Sequence, residues 1–253
     1  MTVKPKRIPL QRTKAYSNEE FINSRDARAL RILAEYLEPR TRFEKHGIED
    51  TIVFFGSARF KAGSVYYEAA RALASRLTKW SKALPSPADG PVRRFVVCSG
   101  GGPGIMEAAS RGASEARGMS VGLGISIPIE QSDNRYLTHG LGFHFHYFFM
   151  RKFWFAYLAK AVLVFPGGFG TLDELMEVVT LVQTKKMKKP MPIVLFGNDY
   201  WNEVINFDAL VRHGTISPED LELIHRTDSV DEAYDWVVRQ LTEHALAKPG
   251  AML

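Results

Sequence analysis

The chain has 253 residues, 45% hydrophobic and 24% charged, which are the proportions of a globular protein with a buried core and not of a disordered or fibrous one. Its formal charge is +5, it has a single cysteine, and it has no run of about eighteen apolar residues. These features argue against a disulfide framework, a cysteine-rich metal site and a membrane-spanning helix.

Residues 1–16 read as a flexible basic arm with no apolar h-region, so a cytoplasmic protein is expected. Ser17, with Glu20 three residues on, has the pattern of a capping box and predicts a helix over 17–38, stopped by Pro39. Short apolar runs then alternate with amphipathic stretches. Strands are expected at 52–55, 95–98, 120–126, 144–146, 161–165 and 193–196, with an edge strand at 223–227. Helices are expected at 65–80, 105–117, 149–160, 172–184, 200–212 and 230–247, and polar loops at 85–91 and 130–140. Cys98 falls inside an apolar run and reads as a buried strand residue. The alternation predicts an α/β fold: a single Rossmann-like domain over 17–253, core about 50–240, with a doubly wound, mainly parallel sheet and helices on both faces.

Much of the excess positive charge lies in the arm and in KKMKK at 185–189. A solvated tail and a helix end whose cations suit the dipole account for both. Neither stretch interleaves aromatics, so no nucleic-acid polymer is expected as a partner. The charge suits a small anionic ligand.

Ligands of such folds collect beyond the carboxyl ends of the strands. Three expected strand ends carry glycine or small polar residues: GSAR with Gly56 and Ser57, SGGGPG with Gly101 and Gly102, and PGGFGT with Gly167, Gly168, Phe169, Gly170 and Thr171. In the third, glycines precede a helix expected to begin near Thr171. Glycine permits positive φ and close approach to a phosphate, and the helix start supplies unpaired N–H groups. No Lys-Ser or Lys-Thr pair follows the glycines, so the turn is not a P-loop. Glu174 admits two readings. The pattern T-L-D-E at 171–174 makes it a capping-box residue, and its position also suits a carboxylate held beside a bound phosphate. Arg151 and Lys152 follow an aromatic and histidine run, and read either as surface charges or as part of an anion site. His144 and His146 have no third ligand at a supporting spacing, so no metal site is expected.

Together, SGGGPGIMEAASRGA (99–113), IPIEQSDN (127–134), FHYFFMRK (145–152) and FPGGFGTLDELMEVVTLVQ (165–183) resemble the LOG family. Its members are cytokinin riboside 5′-monophosphate phosphoribohydrolases, long mislabelled as lysine decarboxylases. The chain looks closer to the family's longer bacterial subgroup than to the short plant members, from which its N-terminal helix departs. The resemblance implies hydrolysis of the N-glycosidic bond of a nucleoside 5′-monophosphate, such as AMP, to free base and ribose 5-phosphate, with no cofactor or metal. By motif, Arg151 and Glu174 match the catalytic pair. Glu130, Lys152, the turn from Gly168 to Thr171, and Thr180 match substrate-contacting positions. A homodimer or a higher assembly of dimers is also implied. A non-catalytic nucleotide-binding or carrier protein on the same fold is the competing reading.

Overall fold

The computed structural model describes residues 13–85, 92–126 and 134–250. Among the described residues seven short segments form one sheet: β1 (Thr51–Phe55), β2 (Val96–Ser99), β3 (Ser120–Ile125), β4 (Gly142–Phe145), β5 (Ala159–Val164), β6 (Ile193–Phe196) and β7 (Ile224–Thr227). Their order is β4-β3-β2-β1-β5-β6-β7, and every neighbouring pair is parallel. β1, β2, β5 and β6 are buried along their whole length, because helices cover both faces of the sheet. Only the edge strand β4 alternates exposed and buried residues, which leaves His144 in solvent.

Side chains alternate between the two faces. Ile52, Phe54, Val97, Leu163 and Val194 pack under α3 (Val65–Ala83), α4 (Ile105–Glu115) and α9 (Val230–His244). Val53, Phe55, Cys98, Val162 and Ile193 pack under α5 (Phe148–Leu158) and α6 (Phe169–Gln183). The expected α/β architecture and the buried Cys98 are both found.

Three local expectations are corrected. The helix expected over 17–38 is two helices, α1 (Glu19–Asn23) and α2 (Arg28–Lys45), and the first cap is Asn18, whose Oδ1 accepts from Phe21 N–H at 3.2 Å. α2 runs straight through Pro39. Proline has no N–H to give the carbonyl of Glu35, and the Trp154 indole Nε1–H donates to that carbonyl instead, at 3.0 Å. The stretch expected as one helix over 200–212 is α7 (Asn198–Val204) and α8 (Phe207–Arg212), the latter capped by Asn206. Lys160, expected at a helix end, is a buried strand residue whose Nζ donates to the carbonyl of Lys248 at 3.0 Å and faces Asp50. Most of the expected basic arm and most of the expected loop at 85–91 lie outside the described residues, as do 127–133.

The chain winds outward from β1 through β2 to β4 on one side, and from β5 through β6 to β7 on the other. The strand order therefore reverses between β1 and β5, and a crevice opens beyond their carboxyl ends.

Candidate active site

That crevice holds a cavity of about 280 Å³. Gly56, Ser57 and Arg59 reach it from the end of β1, Gly100 from β2, Arg151 and Phe155 from α5, and Gly168 to Thr171 with Glu174 from α6.

α6 begins at Phe169, with Gly168 as its N-cap, two residues earlier than the sequence suggests. Thr171 is therefore the third residue of the helix and Glu174 lies in its second turn. The capping-box reading of Glu174 fails for this reason. Its only hydrogen bond among the described residues comes from Arg151, whose Nη2–H donates to Glu174 Oε1 at 3.1 Å. The N–H groups of Thr171 and Leu172 both donate to the carbonyl of Gly168, while those of Phe169 and Gly170 find no partner among the described residues. These two donors face the anion-attracting end of the helix dipole.

The glycines of the turn serve different ends. None has a positive φ, contrary to the sequence-based expectation. A Cβ on Gly167 would lie 2.1 Å from Thr171 Oγ1, so packing requires glycine there. A Cβ on Gly168 or Gly170 would meet nothing within 4 Å. Neither conformation nor packing demands glycine at those two positions, and the open space there would admit close approach of a ligand to the backbone.

The turn SGGGPG behaves differently. Gly101 and Gly104 have positive φ, and a Cβ on Gly104 would strike the Ser57 carbonyl oxygen at 2.3 Å. The first N–H of α4, from Ile105, donates to that same oxygen at 3.0 Å. Gly101 packs against Gly122, and the Gly102 carbonyl accepts from Asn134. Neither lines the cavity. This turn braces the β1 turn, while the N–H groups of Phe169 and Gly170 at the start of α6 are without a partner among the described residues.

Glu174 is buried, with 4% of its surface exposed, and Arg151 beside it is partly buried. Burial pushes the Glu174 carboxyl up to about 7, against the opposing pull of Arg151 and Lys152. The Arg151 guanidinium lies 5.2 Å from the Phe148 ring and 5.8 Å from the Phe155 ring, and its buried Nε has no partner among the described residues. A buried donor without an acceptor is costly, and the cavity is where an acceptor would enter.

Of the other expected site residues, Lys152 and Thr180 border a shallow groove on the outer side of α6, next to the cavity. Lys152 Nζ pairs with Asp173 at 2.8 Å and Glu177 at 2.7 Å, while Thr180 Oγ1 donates to the Met176 carbonyl. Phe169 borders both the groove and the cavity. Glu130 lies outside the described residues. Arg59 is a lining residue that the sequence did not single out. It has no carboxylate partner among the described residues, and its N–H donates to Ser57 Oγ at 3.1 Å. Its signal was present in GSAR, but one arginine on an exposed turn carries no mark of its role. Among the described residues no group of three or more His, Cys, Asp or Glu is placed to hold a metal ion.

A family model described as "Possible lysine decarboxylase" matches residues 106–237. The cytokinin riboside 5′-monophosphate phosphoribohydrolase LOG7 of Arabidopsis thaliana is 38% identical over 95 residues, 37% of this chain and 42% of LOG7. LOG5 of the same plant, which bears the same enzyme name, is 31% identical over 170 residues, 66% of this chain and 67% of LOG5. The more identical match thus spans under half the length of its relative. The crystal structure of TM1055, a structural-genomics target, superposes with a TM-score of 0.51 at 22% identity, covering 75% of this chain and 99% of that one, a likeness of fold alone.

Proposed function

Because the chain belongs to the LOG family, we propose that its cavity binds a nucleoside 5′-monophosphate and hydrolyses the N-glycosidic bond, releasing free base and ribose 5-phosphate. The observation that carries this reading is the Arg151–Glu174 pair, 3.1 Å apart, with Glu174 buried, opening onto a helix start with two N–H groups unpaired among the described residues. The phosphate is held by the N–H groups of Phe169 and Gly170, where the bare glycines leave room, with Arg59 as countercharge. The apolar wall of Met106, Ile125 and Phe155 receives the base. Water adds to C1′ as the bond to the base nitrogen breaks; the bond's electron pair leaves with the base, which takes up the proton that water loses. Positive charge builds along C1′–O4′, and the Glu174 carboxylate stabilises it. Arginine is too weak an acid to protonate the base, so Arg151 stabilises the departing base by charge and orients Glu174.

The test is purified protein with AMP and other nucleoside monophosphates, with free base and ribose 5-phosphate measured together. Since Glu174 acts ionised, kcat/KM should rise with pH through about 7, the value to which burial lifts its carboxyl. A profile flat through that range removes Glu174 from the chemistry. Tight binding without turnover would support the carrier reading instead.

The decarboxylase label of the family model does not fit the cavity, because among the described residues none that lines it is a lysine that could form a Schiff base. The buried Lys160 and Lys189 are committed to backbone carbonyls, of Lys248 and of Ala156 and Tyr157.

A homodimer belongs to the same proposal. Phe148 and Phe149 of α5 are half exposed, Phe169 is 92% exposed, and Leu172 and Met176 continue the apolar surface along α6. An apolar face of this kind beside a site suits a second copy of the chain. Light scattering of the wild type should give the mass of a dimer or a multiple of it, and Met176→Asp should give a monomer. If the two show the same mass, α6 is not the interface.

A further inference from the structure

α2 lies across the amino end of α5, and one of its residues holds that helix at two points. Glu35 Oε1 accepts from His146 N–H at 2.7 Å, and Oε2 accepts from Tyr147 N–H at 3.2 Å. Tyr147 is the N-cap of α5 and its side chain caps nothing; Glu35, from a distant helix, pairs the backbone N–H of this N-cap and of the residue before it, and so pins the entry to the helix. Two turns on, the Glu35 carbonyl, left free by Pro39, accepts from Trp154 Nε1–H at 3.0 Å. The two grips bracket Arg151. Around them Tyr36 packs on Phe153 and Trp154, Phe43 packs on Trp154, and Arg42 donates to the carbonyls of Gly140 and Gly142 at the start of β4. Among the described residues the Arg151 side chain has one hydrogen bond, to Glu174, so where its guanidinium lies depends on where α5 is held.

We propose that Glu35 is a positioning residue for the reaction: through its grip on the start of α5 it sets Arg151 against Glu174. This rests on the reading of Arg151 and Glu174 as the active pair. The anion site at the start of α6 is on another element, so a loosened α5 should affect turnover more than substrate affinity.

The experiment compares Glu35→Ala and Glu35→Gln with the wild type in steady-state hydrolysis of AMP, in thermal melting, and in an NMR titration of the Glu174 carboxyl. Glu35→Ala should lower kcat about tenfold or more, with KM within about twofold, the pattern of a misplaced catalytic group. Glu35→Gln keeps one acceptor oxygen and should fall between the two. In Glu35→Ala the Glu174 carboxyl should titrate higher than in the wild type, because a displaced Arg151 no longer favours its ionised form. A lower melting temperature with the Glu174 titration unmoved would mean that Glu35 is merely structural, and would overturn the proposal. Unchanged kcat in Glu35→Ala would also overturn it, leaving the hydrolase reading intact. If the wild type itself releases no base, the hydrolase reading fails, and the Glu174 titration alone decides whether Glu35 places Arg151.

Discussion

Glu174→Gln should lower kcat for base release by about a thousandfold, the scale of losing one preorganised group from the transition state. KM for the monophosphate should move little, because the proposed phosphate anchor is the start of α6 and not this side chain. Stability should not fall. Burial raises the Glu174 carboxyl from 4.5 to about 7, so the folded state favours its neutral form. The stability this group contributes is fully present below about pH 4.5 and is lost as pH rises through about 7. Glutamine is neutral throughout and keeps an oxygen that can accept from Arg151 Nη2. At pH 8 the variant should therefore melt no lower than the wild type, with any advantage shrinking toward pH 5. Retained kcat in a well-folded variant would end the catalytic assignment of Glu174.

The same residue shows how far the sequence could be read. T-L-D-E has the spacing of a capping box, and local rules favour threonine over glycine as the cap. Tertiary packing overrides them. Thr171 Oγ1 occupies the space where a Cβ on Gly167 would stand, which turns the hydroxyl inward and lets α6 start at Phe169. Pro39 misleads for a similar reason, since the donor that replaces its missing N–H belongs to Trp154, 119 residues further along the chain than Glu35. The strands were legible because a parallel sheet covered on both faces needs continuous apolar runs, and T-I-V-F-F at β1 and I-V-L-F at β6 are such runs. The glycine turn leading into a helix was legible from backbone chemistry. The Arg151–Glu174 pair was not, because two side chains 23 residues apart on different helices meet only when α5 and α6 flank β5. There the family resemblance supplied what spacing could not. Arg59 and Glu35 lay beyond both: nothing within GSAR marks Arg59 out, Glu35 sits in no motif, and each acquires its place only from the fold.

Arg151→Ala should lower kcat by about a hundredfold or more, again with a smaller change in KM. Two effects combine. The charge facing the departing base is lost, and Glu174 loses the cation that favours its ionised form. Removing an opposite charge raises a carboxyl further, so the acid limb of kcat/KM should move to higher pH in this variant, above its position near 7 in the wild type. Arg151→Lys should rescue little. The guanidinium lies between the rings of Phe148 and Phe155 and reaches Glu174 with Nη2, and an ammonium offers neither the flat face nor the fork. The two roles separate in the data. A fall in kcat with an unmoved acid limb would mean that Arg151 acts on the leaving base alone. A moved limb with kcat fully restored at high pH would mean that it acts only through Glu174. Unchanged kcat and an unmoved limb together would remove Arg151 from the site.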